Sequence, residues 1–218
     1  MGARRRSAIA AVGLALAAAA AGLTGPAAAG GAAPERVVSL DPCADQYVLA
    51  LAGRERIAAL SPRRAGGGSR FAERAEGLPR LRPRAEPLLM RGPDLVVRLW
   101  GGTRGIGDTL QRAGIDVLKL RYATDFAGAR DNLRRAGAAL GAADKAERMI
   151  ARMDRRLAKL RARRLPPDQR ARAIYVTPSG KTAGAGTFVD SVLAAVGLRN
   201  QAAQGGRAGW YPIDLERL

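Results

Sequence analysis

Residues 34–60 contain a strand, a turn, a helix and a second strand in direct succession, and this order restricts the fold more than any other feature of the chain. A β-rich apolar run at residues 36–40 leads into a turn that holds Asp41, Pro42 and Cys43. An apolar helical pattern and a second short apolar run follow. Two strands joined through a helix pair in parallel, because the connection must cross back along the sheet. The segment therefore predicts the first unit of a parallel sheet.

The same alternation continues along the chain. Residues 94–100 and 116–120 have the composition of buried strands, and a helical segment around residues 109–113 lies between them. A short helix at residues 86–90 is expected before the first of these strands. Strands that alternate with helices at this spacing indicate an α/β fold with parallel sheets and Rossmann-like architecture.

A second α/β region closes the chain. It has a predicted strand at residues 173–177, a glycine-rich loop at residues 178–186 and a helix at residues 187–196. Residues 210–212 are predicted to lie in a loop, and Asp214 is expected to cap a helix that begins where the chain ends. One strand and one complete helix cannot cover a sheet on both faces, so we expect this second lobe to be incomplete.

A long helix is predicted at residues 142–164, between the two α/β regions. Met149, Met153 and Leu157 recur at helical spacing and form an apolar stripe. The other faces carry mostly basic residues, which is typical of a solvated helix surface. Pro166 ends the helical pattern, because proline cannot continue a helix.

The first 29 residues read as a secretion signal. Three arginines precede an apolar run at residues 8–23, and three alanines at residues 27–29 supply the small residues of a cleavage site. The apolar run has 16 residues, mostly alanine, whereas a membrane span needs about 20 strongly apolar residues. We therefore expect a cleaved signal and export to the periplasm.

The charge of the chain is strongly basic, with 37 Lys and Arg residues against 19 Asp and Glu residues, a formal net charge of +18. Such a balance suggests nucleic acid, an anionic membrane surface or an anionic ligand as partner. Export argues against nucleic acid. The chain has no histidine and only 4% aromatic residues, which argues against a histidine-ligated metal site and against platforms for stacking bases.

Nucleophilic and nucleotide-binding motifs are incomplete. Cys43 stands in a strand-to-helix turn, but no histidine can activate its thiol, and Ser39 lacks the partners of a catalytic triad. Residues 180–182 read Gly-Lys-Thr, yet the earlier glycine of a phosphate-binding loop is replaced by Tyr175. We therefore predict no catalytic residue and no metal or other cofactor bound by protein side chains.

Aromatic and basic residues instead point to a ligand cleft. Trp100 follows a buried strand, at the position where α/β sheets bind ligands. Trp210 and Tyr211 lie in the second region, and Arg98 is one of several arginines nearby. Two aromatic positions in two lobes fit a cleft that holds a large, flat or anionic ligand. The candidate ligand-binding residues are Asp41, Pro42, Cys43, Arg98, Trp100, Trp210 and Tyr211.

Three segments resemble the substrate-binding proteins of ABC importers for cobalamin and ferric siderophores. The opening PERVVSLDPCADQYVLALAG is similar to the family's first strand and pocket-facing turn. AEPLLMRGPDLVVRLWGG resembles a short helix, a strand and an aromatic-Gly-Gly exit, and TAGAGTFVDSVLAAVGLRN resembles the glycine loop and first helix of the second lobe. The likeness extends over most of residues 34–218.

The resemblance implies two Rossmann-like lobes, at residues 34–140 and 171–218, joined by a rigid helix at residues 141–165 that permits little hinge motion. It also implies a monomeric periplasmic receptor that packs Trp100 and Trp210 on a ferric siderophore or corrinoid ligand. The metal would be held by the ligand. Further residues carried over from the family are Glu86 and Glu216, one on each lobe, which would dock on the membrane permease of the permease–ATPase complex.

Two other functions stay open on the sequence. One is an exported enzyme, either a hydrolase that uses Cys43 or a chelatase-like protein. The other is a basic protein that binds polyanions. Among receptor ligands, corrinoid, catecholate, hydroxamate and citrate-type chelates are all compatible with the residues.

Overall fold

The computed structural model describes residues 32–62 and 70–213. The expected secretion signal at residues 1–29, the helix cap Asp214 and the docking residue Glu216 lie outside these described residues. Within the described part of the chain, no helix is long and apolar enough to cross a bilayer.

Four short parallel strands form the central sheet, which confirms the predicted α/β class. They are β1 (Val37–Ser39), β2 (Ile57–Ala59), β3 (Leu95–Arg98) and β4 (Asp116–Lys119). Their order is β2-β1-β3-β4, so the chain first moves outward from β1 to β2 and then returns to β3 on the other side of β1. The direction of winding therefore reverses between β1 and β3.

Helices cover both faces of this sheet. The α-helices are α1 (Pro42–Leu51), α2 (Ala72–Ala75), α3 (Ala85–Arg91), α4 (Ile106–Arg112), α5 (Phe126–Ala139), α6 (Ala143–Ala162) and α7 (Phe188–Ala195). Short 3₁₀ turns occur at Arg54–Arg56, Pro167–Gln169 and Gln201–Gly206.

The apolar core has two halves, one on each face of the sheet. Side chains alternate along a strand, so Leu95 and Val97 of β3 pack against α1, α5 and α6, whereas Val96 packs against α3 and α4. All three valine and leucine side chains are buried. This two-sided burial explains why the strand reads as a continuous apolar run rather than an alternating one.

Helix α5 is a feature that the sequence analysis missed. Its buried residues are Asn132, Ala136 and Gly137, so its packed face consists of small or polar side chains and gives no strong apolar period. It packs closely against α6. At Gly137 an added β-carbon would lie 2.6 Å from the β-carbon of Ala146, and the glycine therefore permits the close approach of the two helices.

The region after α6 differs in detail from the prediction. Residues 210–212 are not a loop but the strand β8 (Trp210–Pro212), which pairs antiparallel with β6 (Lys181–Ala183) inside the predicted glycine-rich loop. The expected strand at residues 173–177 shortens to β5 (Arg172–Ala173), which pairs in parallel with β7 (Arg199–Asn200). The glycines and the proline masked this short antiparallel pair in the sequence.

Many basic side chains bind backbone carbonyl groups. Arg74 donates to the carbonyl of Ala52 and Lys145 to that of Leu51, both at the end of α1, where the helix dipole favours cations. The described basic residues that donate to backbone carbonyls are Arg36, Arg54, Arg56, Arg74, Arg80, Arg112, Arg135, Lys145, Arg164 and Arg170. A considerable part of the positive charge thus serves the fold.

A candidate ligand cleft at the carboxyl edge of the sheet

The candidate site lies where the winding of the sheet reverses. The turns after β1 and β3 leave the sheet in different directions and create a crevice, which is where open α/β sheets bind ligands. A cleft of about 470 Å³ occupies this position. Its lining residues are Leu40, Pro42, Ser61, Pro62, Arg82, Pro83, Arg84, Trp100, Gly101, Gly102 and Thr103.

Trp100 is the exposed aromatic residue of this cleft. It is 54% exposed, and it also borders a second hollow of about 550 Å³ formed by the turns after β3 and β4. Pro42 lines the first cleft, and the Trp100 side chain lies close enough to the Cys43 thiol to lower its pKa. Three of the residues singled out in the sequence are thus neighbours.

Further exposed aromatic residues continue from the second hollow. Tyr122 lines that hollow, and its hydroxyl oxygen accepts a hydrogen bond from the indole Nε1 of Trp210 at 3.4 Å. The ring of Tyr175 meets the ring of Trp210 edge-on at a centroid distance of 5.9 Å. The sequence analysis missed both tyrosines. Tyr122 follows the end of β4 much as Trp100 follows the end of β3, and this equivalence was the available signal.

Tyr211 is engaged within the second region. Its hydroxyl donates to the carbonyl oxygen of Ala202, and the guanidinium of Arg207 lies 4.0 Å from its ring centroid. Both its polar end and one ring face therefore have protein partners. These contacts give Tyr211 a structural role within the second region, and its ligand contact stays a prediction.

The basic residues of the cleft are not the ones that the sequence analysis named. Arg98 lines neither hollow, and its Nε atom is buried without a hydrogen-bond partner among the described residues. Arg82 and Arg84 line the cleft instead, both are exposed, and neither forms a salt bridge with a carboxylate in the described ranges. They belong to residues 61–84, a segment rich in Arg, Gly and Pro whose sequence shows no strand or long-helix pattern.

Asp41 joins the two turns that border the cleft. Its buried carboxylate accepts hydrogen bonds through Oδ1 from the N–H groups of Cys43 (3.1 Å) and Ala44 (2.9 Å). Through Oδ2 it accepts from the N–H groups of Leu99 (2.7 Å), Trp100 (3.2 Å) and Gly101 (3.0 Å). Five donors saturate this carboxylate. The prediction that Asp41 contacts a ligand is therefore replaced by a role in holding the cleft together.

The Cys43 thiol is exposed but not activated. Partial burial raises its pKa, the nearby Trp100 side chain opposes that shift, and the nearby carboxylates of Asp41 and Asp45 raise the pKa further. A thiol with a raised pKa is protonated at neutral pH, whereas the thiolate is the nucleophile. The environment of Cys43 thus disfavours a role as a nucleophile.

A second buried carboxylate holds the turn after β2. Asp45 accepts hydrogen bonds from the Ser39 hydroxyl, from the Ser61 N–H at 3.0 Å and from the Ser61 hydroxyl at 2.7 Å. Burial raises the pKa of Asp45, while these hydrogen bonds and the charge of Arg80 partly oppose the shift. Because Ser61 lines the cleft, Asp45 supports its wall from below.

Replacing Asp45 by asparagine is expected to remove one component of the pH dependence of stability. The folded protein holds this proton more tightly than the unfolded chain, so the free energy of unfolding falls as pH rises from the ordinary aspartate pKa of 3.8 through the raised folded value. Asparagine can keep all three hydrogen bonds, because its amide can donate to the Ser61 hydroxyl. Urea unfolding between pH 4 and pH 7 measures the difference between the two proteins.

The matched control for this measurement is Asp168→Asn, which makes the same chemical change at an exposed position. The slope attributed to Asp45 should persist in the control and disappear in Asp45→Asn. An unchanged slope in Asp45→Asn would show that another group is responsible.

Three other residues predicted from the sequence do not line the cleft: Glu86, Trp210 and Tyr211. Glu86 is exposed in the first turn of α3, a position compatible with docking, and its role stays a prediction. In the residues that the structure describes, no cluster of three or more histidine, cysteine, aspartate or glutamate side chains could hold a metal ion.

Comparison with protein families and comparison with solved structures both find periplasmic binding proteins. A family model described as periplasmic binding protein matches residues 37–218. No protein of curated function matches the chain in sequence. Two similar solved structures are periplasmic heme-binding proteins. RhuT from Roseiflexus sp. RS-1 has 26% identity and a TM-score of 0.69, over 84% of this chain and 72% of that one. The protein from Pseudomonas aeruginosa has 25% identity and a TM-score of 0.67, over 84% of this chain and 67% of that one.

A third structure extends the range of ligands within the same fold. The periplasmic vitamin B12 binding protein BtuF of Vibrio cholerae is 19% identical, with a TM-score of 0.62, and the match covers 84% of this chain and 72% of that one. At this identity the likeness concerns the fold alone.

Proposed function

The chain belongs to the periplasmic binding protein family, and from this premise we propose that it is the receptor of an ABC importer, which captures a metal chelate and delivers it to the membrane permease. Members of the family work with ABC permeases, and the solved structures similar to this chain are binding proteins. The proposal takes residues 34–140 and 171–218 as the two lobes and residues 141–165, which include α6, as their connection.

The observation that supports this function most directly is the exposed Trp100 beside Arg82 and Arg84, which form no salt bridge within the described part of the chain. An indole ring that is 54% exposed offers a flat apolar surface for a conjugated or aromatic ligand. Arg82 and Arg84 stand across the same cleft and can bind carboxylate or phenolate oxygens bidentately. This combination suits a flat or compact chelate that carries negative charge.

The exposed arginines of the cleft favour a chelate that carries negative charge. Ferric catecholates, ferric citrate and heme carry negatively charged groups that Arg82 and Arg84 would bind, and two similar structures with 25% and 26% identity are described as heme-binding proteins. Cobalamin and ferric hydroxamates without further acidic groups are the candidates that lack this charge. The metal in each case would belong to the ligand.

The proposal is tested by tryptophan quenching in the mature protein. Hemin, ferric citrate, a ferric hydroxamate, a ferric catecholate and cyanocobalamin are titrated in turn, with free N-acetyltryptophanamide as the control for light absorbed by each chelate. We expect one of the anionic chelates to bind with a dissociation constant of about 1 μM or below. The single variants Trp100→Phe and Trp210→Phe assign the quenching to each lobe. If none of the five chelates binds, the receptor function is wrong.

Docking on the permease is the second part of the proposal. Glu86 on α3 and Glu216 in the second region would each meet basic residues of the permease, because opposite charges steer association and fix orientation. Support for Glu86 comes from its exposure and from the family resemblance.

Both alternatives from the sequence lose support. An enzyme that uses Cys43 would need a lowered thiol pKa, and the surroundings of Cys43 raise it. A general polyanion binder would need free basic side chains, yet many of the described ones bind backbone carbonyls.

A further inference from the structure

The Asp41 carboxylate accepts hydrogen bonds from both turns of the cleft, and we infer that Asp41 is the positioning residue that presents Trp100 to the ligand. This inference rests on the proposed function for its ligand, and it adds a role for a residue that cannot itself contact the ligand. The carboxylate is fully buried. Its influence on binding must therefore pass through the groups that it holds.

The bonds of Asp41 join segments that are far apart in sequence. Oδ1 accepts from two N–H groups at the start of α1, as an N-cap residue does. Oδ2 accepts from three consecutive N–H groups at residues 99–101, which lie 58 to 60 positions away. Three converging N–H groups form a cradle that suits an anion. One carboxylate thus ties the turn after β1 to the turn after β3.

The chemistry at this position requires a carboxylate. Aspartate offers two oxygen atoms and no donor, so each oxygen can serve one of the two turns. Asparagine would place its amide N–H₂ group against one of the two sets of backbone N–H groups, where two donors would face each other. Serine has a single side-chain oxygen, which can accept from the helix cap but cannot also reach residues 99–101. A helix cap by itself therefore does not explain why aspartate occupies the position.

The location of this bridge gives it a functional consequence. Sheet winding reverses between β1 and β3, so the chain leaves these two paired strands in different directions, and the crevice between the two turns is the cleft. Trp100 is the middle residue of the three whose N–H groups bind Oδ2. Because the backbone of Trp100 is held in place before the ligand binds, less conformational entropy is lost when the indole ring is ordered against the ligand.

The test compares Asp41→Ser with the wild type in a Trp210→Phe background, where Trp100 is the remaining tryptophan. Serine keeps the helix cap and removes the bridge to residues 99–101. We expect affinity for the best-binding chelate among the five probes to fall about 10- to 50-fold, because three charge-assisted bonds are lost. In the protein without chelate, the Trp100 fluorescence anisotropy should decay faster and acrylamide should quench it more.

A double-mutant cycle separates positioning from general destabilisation. In a Trp100→Ala background, Asp41→Ser should change the affinity by less than about 3-fold, since the residue that it positions is absent. Equal effects with and without Trp100 would overturn the inference, as would an unchanged anisotropy in Asp41→Ser. Asp41→Asn, which keeps side-chain size, replaces Asp41→Ser in all arms if the serine variant fails to fold.

The outcomes also distinguish this inference from the proposed function. If the wild type binds none of the chelates, the receptor function fails, while the anisotropy of Trp100 still tests the positioning role. If the wild type binds and Asp41→Ser binds equally well, the positioning role alone is wrong.

Discussion

Replacing Gly101 by alanine is expected to lower the free energy of unfolding by about 3 kcal/mol, the upper part of the range for overpacked sites, and to abolish chelate binding. Gly101 is buried where the turn after β3 passes over β1. An added β-carbon would lie 2.3 Å from the carbonyl oxygen of Leu40 and 2.5 Å from its carbonyl carbon. Both are backbone atoms, so the clash can be relieved only if the two turns move apart, which would also stretch the Asp41 bridge. Urea unfolding and the chelate titration measure the two effects.

Gly107 provides the matched control. It lies inside α4, and the nearest atom to an added β-carbon is the Arg98 Nη1 atom at 3.9 Å. The same substitution there should stabilise the protein by about 0.5–1 kcal/mol, because glycine is a poor helix former. The two alanine variants are thus expected to differ in the sign of their effect. A Gly101→Ala protein as stable as the wild type would contradict the close contact between the turns.

Reversing the charge of the cleft arginines should have the second large effect, on affinity. The double variant Arg82→Glu, Arg84→Glu replaces two cations by two anions at a partly solvent-screened site. We expect anionic chelates to bind about 100-fold or more weakly, because two attractive contacts become repulsive. Binding of a neutral corrinoid should change by less than about 3-fold, since its contacts do not depend on net charge. Titration of both ligand types at low and at physiological salt tests the expectation.

A second double variant separates local from global electrostatics. Arg148→Glu, Arg155→Glu makes the same change in net charge at two exposed positions of α6, which does not line the cleft. Its affinity for an anionic chelate should stay within about 3-fold of the wild type at physiological salt, because surface charges beyond a Debye length are screened. An equal loss in both double variants would mean that overall charge, and not the cleft arginines, governs binding.

The sequence allowed the α/β class, all four strands of the parallel sheet and the position of Trp100 to be predicted. Apolar runs bounded by turn residues are a local signal, and buried strands such as β3 carry it strongly. Helix α5 escaped detection because its packed face is built from Ala136, Gly137 and Asn132. Strand β8 was not predicted because β8 and its partner β6 have only three residues each and lie in segments rich in glycine. Three residues are too few to show the alternation of apolar and polar side chains that indicates a strand.

The composition of the candidate site was predicted less well than its location. That ligands bind at the carboxyl edge of a parallel sheet follows from topology, and an aromatic residue at the end of a strand is visible in the sequence. Which arginines reach the cleft is not, because Arg82 and Arg84 stand in an irregular segment whose path only the tertiary structure supplies. Tyr122 and Trp210 likewise meet although 88 positions separate them.

The sequence by itself thus determined that the chain builds a parallel α/β sheet with an aromatic residue at its carboxyl edge, since strand and helix periodicities depend on near neighbours. Only the tertiary structure decided what holds that edge in shape. Asp41 reads as a turn residue in the sequence, and its acceptors meet donors 58 to 60 positions away. A buried carboxylate is stable only where several donors converge on it, and that convergence exists only once the strands are paired.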